Sequence, residues 1–143
     1  MVDLRNNVGK YLSAATRHMV AYMARRMEPL GIGAGQYSYL FCLYREDGQS
    51  QQQLADYLLV DKSAAVGAIN RLEALGYVER QSDPTDRRHY RIHLTERGRA
   101  IKPQLEEIVG EVQDLLMDGL SQSERETMLG LLERMVSNIT RRI

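Results

Sequence analysis

Two adjacent arginines in a short polar segment have the clearest chemical potential in this sequence. They end the run Asp83-Pro84-Thr85-Asp86-Arg87-Arg88, in which Pro and Asp predict an exposed turn. Paired guanidiniums on a protruding turn suit the narrow, electronegative minor groove of DNA, and Asp86 is placed to hold one of them. An Asp-Arg-Arg run on its own is more often an ordinary solvated loop, so the flanking elements decide the interpretation.

Cationic charge is concentrated around this segment, although the formal net charge of the 143 residues is zero. Residues 87–102 carry six arginines and lysines against one acid, Glu96, whereas residues 106–133 are dominated by acids. Because a phosphate responds to the local field, a nucleic-acid-binding surface is compatible with overall neutrality.

A second set of candidate residues lies on a short helix that is predicted to begin after Asp61 and to stop at Gly76. The residues expected to face inward are Ala65, Val66, Ile69 and Leu72. The outward arc holds Lys62, Ser63, Ala64, Gly67, Asn70 and Arg71. Small residues there would let the helix approach base edges, where Ser63, Asn70 and Arg71 can form hydrogen bonds.

The elements that must position both sets are two short helices followed by a β-hairpin. Residues 50–53 have the pattern of a capping box and start a short helix that ends near Leu58. Residues 77–81 and 90–94 alternate apolar and polar and predict two strands joined by the loop 82–89. This order is typical of a winged helix-turn-helix, in which the second helix enters the major groove and the wing reaches beside it.

Long helices are predicted on both sides of this motif. Apolar residues recur at steps of three and four over about residues 3–27, and a largely buried helix is expected at 36–46. A further helix begins after Thr95, where Pro103 could bend it, and a second capping box at 121–124 opens the last helix. The expected fold class is mainly α with a small β-hairpin wing, and the long apolar stripes predict a homodimer that covers them.

These segments resemble the MarR family of regulators. The matching residues are Leu54-Ala55 with Leu58, Leu72-Glu73 with Gly76-Tyr77-Val78 and Arg80, and residues 83–88 running on to Leu94-Thr95 with Gly98. The resemblance implies one domain over residues 1–143, with dimerisation helices at about 1–30 and 95–143 and a DNA-binding lobe at about 34–94. It also implies a transcriptional regulator, expected to be a repressor, which binds pseudo-palindromic double-stranded DNA as a homodimer and is released by a small phenolic or aromatic carboxylate ligand.

The resemblance also suggests where such a ligand would bind. It places the pocket between the dimerising helices and the DNA-binding lobe, with Arg17, His18 and Tyr37 as candidates to meet a carboxylate or a phenol. One departure concerns the recognition helix, where the family's frequent Thr-Arg pair is replaced by Val66-Gly67. Base reading would then shift to Asn70 and Arg71, and the wing and DNA shape would carry more of the specificity.

Other chemistry has less support in the sequence. The glycines at 31–35 lack the strand and the Lys-Ser/Thr of a phosphate-binding loop, which favours an interhelical turn. His89 and His93 are expected on one strand face, but no cysteine or close carboxylate pair completes a metal shell, so neither a metal nor a cofactor is expected. Cys42, the one cysteine, is expected to be an inert core thiol more often than a redox sensor.

No catalytic triad, paired carboxylates or cofactor loop can be assembled, so the sequence does not favour an enzyme. The alternative left open is a winged-helix module for protein contact, which would not need paired arginines and would respond less to salt. The sequence shows neither a secretory signal pattern nor a long apolar run, which predicts a cytoplasmic protein.

Overall fold

The computed structural model describes residue 1 and residues 3–142. Its helices are α1 (Val8–Met27), α2 (Tyr37–Arg45), α3 (Gln51–Leu58), α4 (Lys62–Ala74), α5 (Glu96–Ala100), α6 (Lys102–Met117) and α7 (Gln122–Thr140), and its strands are β1 (Gln49–Ser50), β2 (Val78–Ser82) and β3 (Tyr90–Leu94). The chain divides into two compact units, residues 1–109 and 110–143. The predicted fold class is confirmed, because helices predominate and the strands form one small antiparallel sheet beside a helix-turn-helix.

Local capping defines α3 and α4, the two helices of that motif. The Ser50 hydroxyl accepts a hydrogen bond from the Gln53 N–H at 3.1 Å, and the Gln53 side chain accepts from the Ser50 N–H at 2.9 Å. Leu59 then ends α3 in the left-handed region with φ 57°. Asp61 caps α4 by accepting from the Ala64 N–H at 2.7 Å. The predicted capping box and the predicted break between the helices are therefore confirmed.

The inward face of α4 differs from the prediction at one position. The sequence predicts Val66 inside, but Val66 is half-buried and Ala68 is buried. The buried residues of the helix are Ala65, Ala68, Ile69 and Leu72. This is the i, i+3, i+4, i+7 spacing of a single stripe, and Val66 lies at its edge.

The sheet has the order β1-β3-β2 and holds the wing against the rest of the first unit. The hairpin strands pair from Val78 opposite Leu94 to Ser82 opposite Tyr90, one residue later at the start than predicted. β1 is not predicted by the sequence, because two residues are too short to show a period of two. Gln49 of β1 is buried, and its amide donates to the carbonyls of Cys42 and Glu46 at 2.9 and 2.7 Å, where α2 ends.

Two predicted helices are interrupted for local reasons. Asn7 separates a short 3-10 helix, Leu4–Asn6, from α1, because its side chain accepts from the Lys10 N–H at 3.1 Å and caps the longer helix. The helix that begins after Thr95 stops at Ala100 and restarts as α6. Pro103 has no N–H for an i to i−4 bond, so one helix cannot continue through this point without losing that bond.

Both units leave large apolar side chains exposed. In the first unit several of these lie on α1, including Val8, Tyr11 and Leu12. In the second unit they include Leu131 and Ile139 of α7, which are 48% and 65% exposed. Within the described residues, no helix is both long and apolar enough to cross a membrane.

Candidate nucleic-acid interface

The outward face of α4 is open to solvent. All six residues predicted on it, Lys62, Ser63, Ala64, Gly67, Asn70 and Arg71, are exposed. A Cβ added at Gly67 would meet no atom within 4 Å, so the absence of a side chain leaves free space above the helix. The Ser63 hydroxyl donates to the Asp61 carboxylate at 2.8 Å and is therefore partly committed to the cap of the helix. An exposed face with small residues at Ala64 and Gly67 allows a partner to approach the helix closely.

The Asp61 carboxylate stays ionised at the start of α4. Its bonds with the Ala64 N–H and the Ser63 hydroxyl hold the pKa of this carboxyl below its usual range. A negative cap at a helix N-terminus is favourable because it faces the positive end of the helix dipole.

The wing loop holds one arginine in a fixed orientation. Arg88 donates to Asp86 from Nε and Nη2, both at 3.0 Å, and from its backbone N–H at 3.1 Å. These bonds lower the pKa of the Asp86 carboxyl and raise the pKa of Arg88, whose side chain remains 85% exposed. Arg87 is also exposed and, within the described part of the chain, has no hydrogen-bond or ion-pair partner. The loop therefore presents one braced guanidinium and one free guanidinium.

A second carboxylate shapes the base of the same loop. Asp83 accepts from the Thr85 hydroxyl and N–H at 2.7 and 2.9 Å and from Arg91 Nε at 3.2 Å. The Thr85 bonds are the main cause that lowers the Asp83 pKa to about 2, with the Arg91 charge contributing less. The turn predicted from Asp and Pro is thus held by side-chain bonds to its own backbone.

The wing and the two helices face one groove. This groove has a volume of about 480 Å³ and is lined by Lys62 at the start of α4, by Gln51 and Gln52 at the start of α3, and by Arg88 and His89 of the wing, among others. Two of the predicted cations, Lys62 and Arg88, therefore border one concave surface. An extended polyanion fits such a surface better than a compact apolar ligand does.

Arg80 is a residue of this interface that the sequence analysis did not single out for a role. It lies on β2 with a side chain only 18% exposed, and its Nη1 is 2.7 Å from Glu73 of α4. Its Nη2 donates to Asn70 Oδ1 at 2.6 Å. One signal was available in the sequence, since Glu73 and Arg80 are opposite charges on either side of the Gly76 turn.

The three residues predicted to meet a small ligand are not gathered into one cavity of the described chain. Arg17 and His18 are exposed on α1, where Arg17 donates to Ser13 at 3.3 Å. Tyr37 lines a separate cavity of about 170 Å³ between α2 and α3. In that cavity the Arg45 guanidinium lies 4.1 Å from the centre of the Tyr57 ring.

The remaining candidate groups are apart from one another. His89 precedes β3 and lies 3.6 Å from Asp86, whereas His93 lies within β3 and is 3.6 Å from Asp47, so the expectation of one shared strand face is wrong. Among the residues that the structure describes, no group of three or more His, Cys, Asp or Glu side chains could hold a metal ion. Cys42 is 3% exposed, and burial raises the pKa of its thiol, which disfavours the reactive thiolate.

Comparisons with known proteins agree with this architecture. A family model described as the MarR family matches residues 30–89. A MarR transcriptional regulator from Methanosarcina mazei Go1 is 39% identical, over 95% of this chain and 98% of that one, with a TM-score of 0.82.

Two further solved structures carry a description of what they bind. The transcriptional repressor CouR, bound to a 23-mer DNA duplex, is 25% identical over 93% of this chain and 94% of its own, with a TM-score of 0.81. Bordetella bronchiseptica BpsR, whose DNA binding is described as regulated by 6-hydroxynicotinic acid, is 25% identical over 95% of this chain and 97% of its own, with a TM-score of 0.85.

Proposed function

This chain belongs to the MarR family of transcriptional regulators. We propose that it is a homodimeric, sequence-specific repressor that binds a pseudo-palindromic DNA operator. One observation carries the proposal: Lys62, at the start of the exposed face of α4, and the braced Arg88 of the wing line the same groove. The DNA-bound CouR structure supports it, because a similar fold is seen there on a duplex.

In the proposed complex, α4 lies in the major groove and the wing in the adjacent minor groove. Ala64 and Gly67 allow close approach to base edges, while Asn70 and Arg71 supply hydrogen bonds to them. Lys62, at the start of α4, lies beside the phosphate backbone of the DNA. Arg87 and Arg88 supply the positive charge that a narrow minor groove attracts, and Asp86 restricts the orientation of Arg88 before binding.

Dimerisation supplies the symmetry of the site. The exposed apolar residues of α1 and α7 are the surfaces that a second copy would cover, consistent with the proposed division into a DNA-binding lobe at 34–94 and dimerisation helices at 1–30 and 95–143. A two-fold dimer requires an inverted-repeat operator, with its two recognition helices about one helical turn of DNA apart.

The binding proposal is tested by selecting fragments of the source genome on the purified protein and measuring affinity by fluorescence anisotropy at several salt concentrations. We expect an enriched inverted repeat and an affinity that falls steeply with salt through counterion release. A protein that stays monomeric, enriches no fragment and binds no duplex at low salt would contradict the proposal. That result would favour a winged-helix module for protein contact.

We further propose that a small phenol or aromatic carboxylate releases the DNA. The support is twofold: the description of BpsR regulation by 6-hydroxynicotinic acid, and the cavity of about 170 Å³ at Tyr37, which is large enough for a single aromatic ring. Burial raises the pKa of Tyr37, so its hydroxyl can donate a hydrogen bond to a carboxylate at neutral pH. Arg17, His18 and Tyr37 remain the candidates to contact the ligand in the dimer.

Calorimetric titration with salicylate as the probe tests this second part. We expect heat of binding in the wild type, weaker binding in Tyr37→Phe and lower affinity for DNA when salicylate is present. Tyr90→Phe is the control for the calorimetric titration, because Tyr90 is exposed on β3 and does not line this cavity. No binding of salicylate at millimolar concentration, together with DNA affinity that salicylate leaves unchanged, would remove ligand release by this class while leaving the DNA-binding proposal intact.

A further inference from the structure

Arg80 is nearly surrounded by acceptors. Its backbone N–H and Nη1 donate to the two carboxylate oxygens of Glu73 at 3.2 and 2.7 Å, and Nη2 donates to Asn70 Oδ1. The Gln51 carbonyl oxygen, in the amide orientation that satisfies both side chains, accepts from Nη2 and Nε at 2.9 and 3.1 Å. One guanidinium on the wing strand therefore joins the start of α3 to the C-terminal half of α4.

This arrangement determines which way the Asn70 amide faces. A charged donor at 2.6 Å from Oδ1 forms a stronger bond than a neutral donor would, so the carbonyl end of the amide is held toward Arg80. The amide is planar, and the Nδ2 group points away from that bond. Within the described residues Nδ2 has no acceptor, and Asn70 is exposed on the same face of α4 as Ser63 and Gly67.

We infer that Arg80 is a positioning residue for sequence recognition, because it orients Asn70 to read DNA chiefly as a hydrogen-bond donor. The inference rests on the proposed function, in which this face of α4 enters the major groove. An asparagine reads adenine by using its carbonyl and its amide together, on N6 and N7. Because the bond from Arg80 occupies one lone pair of Oδ1 and turns this oxygen toward β2, that bidentate contact is disfavoured.

The base preference follows from what the free Nδ2 can reach. In the major groove, guanine offers the acceptors O6 and N7 side by side, and thymine offers O4. Adenine offers one acceptor, N7, beside its N6 donor, whereas cytosine presents only a donor. The position read by Asn70 should therefore favour guanine or thymine most, adenine less because its N6 amine lies beside N7, and cytosine least. A full bidentate contact discriminates by roughly 5- to 150-fold, and a single donor should lie near the lower end, at about fivefold.

Asn70→Asp is the sharpest variant, because it keeps the shape of the side chain and one oxygen for Arg80. Its second oxygen replaces the donor with an acceptor, so the preference at this position should reverse toward cytosine or adenine, whose exocyclic amines donate. Asn70→Ala removes both groups and should leave the position without preference. Arg80→Lys keeps the charge near Glu73 but loses the planar fork, which releases Oδ1 and should raise the share of adenine.

The experiment is selection from a random duplex library with the four proteins, followed by affinity measurements on operators that differ at one symmetric pair of positions. Thermal unfolding confirms that each variant is folded, and the two Asn70 variants alter only an exposed side chain. The inference predicts changes confined to that pair of positions. A purely structural role of Arg80 would lower affinity for all sequences equally.

The outcomes separate the two levels of the proposal. If the wild type enriches an operator and Asn70→Ala enriches the same one with unchanged preference at every position, the positioning role of Arg80 is refuted while the proposed function stands. A uniform loss in Arg80→Lys, with no shift at the Asn70 position, refutes it as well. If the wild type enriches no sequence, the proposed function is wrong and this inference is wrong with it.

Discussion

Replacement of Arg88 by alanine is the most direct perturbation of the wing. The Arg88 side chain is 85% exposed and pairs with an aspartate two residues before it, at 3.0 Å. Arg5 offers a matched control, because its side chain is 87% exposed and pairs with Asp3 at the same sequence spacing and the same distance. Arg5→Ala therefore removes an equally exposed, equally paired arginine that lies outside the proposed DNA-binding lobe.

The size of the effect follows from counting charges. Each arginine that neutralises a phosphate contributes about 0.9 to the slope of log affinity against log salt, so the loss of two Arg88 side chains in a dimer should reduce the slope by about 1.8. If the counterion term vanishes near 1 M salt, affinity at 0.1 M should fall by roughly 60-fold. When salt rises from 50 to 200 mM, the factor by which affinity falls should be about 12 times smaller for the variant than for the wild type.

Fluorescence anisotropy on the selected operator and on an unrelated duplex of the same length measures both quantities. We expect Arg88→Ala to weaken binding to both duplexes by a similar factor, because a contact in the minor groove reads width and charge more than base identity. Arg5→Ala should match the wild type in affinity and slope. An Arg88→Ala dimer with the wild-type slope would refute the reasoning that the wing supplies a backbone or minor-groove contact.

Two further outcomes are expected, one from a hydrogen bond of Tyr44 on α2 and one from the Asp83 bonds of the wing turn. Tyr44→Phe removes a hydroxyl that donates to the Gly98 carbonyl at 2.6 Å, and it should lower the free energy of unfolding by about 1 kcal/mol in a denaturant titration, whereas Tyr90→Phe, an exposed control, should not. The side-chain bonds of the wing turn should persist to low pH. Because the pKa of Asp83 is lowered to about 2, the bonds of this carboxylate are fully present above the unfolded-state value near 3.8 and are lost only as the pH falls toward 2. The Thr85 amide resonance reports this step by NMR, and a midpoint near 4 would contradict the assigned bonds.

Features set by neighbouring residues were predictable from the sequence. The Ser50 capping box and the Asp61 cap depend on side chains within three residues, and both are present in the structure. The outward face of α4 also follows from helical periodicity. The inward face was wrong at one position, since Ala68 is buried and Val66, which was predicted inside, lies at the edge of the buried stripe. Short-range geometry leaves few alternatives once the helix boundaries are known.

Features that depend on residues far apart in the chain were not predictable in the same way. β1 exists because Gln49 pairs with Ile92, 43 positions later, and nothing within two residues signals a strand. The Arg80 contacts join three elements, so periodicity within β2 cannot reveal them. The family resemblance placed Arg80 in the motif but did not say which side chains it holds, and that information comes only from the packed structure.

The pairing of β1 with β3 has a mechanical consequence. β1 runs directly into α3, and its Gln49 side chain is bonded to the last turn of α2, so β1 connects β3 of the wing, the start of α3 and the end of α2. We expect a displacement of α2 that moves the wing to move α3 with it. We therefore expect a ligand or partner that displaces α2 to weaken the DNA contacts of the recognition helix and of the wing together, in a single step.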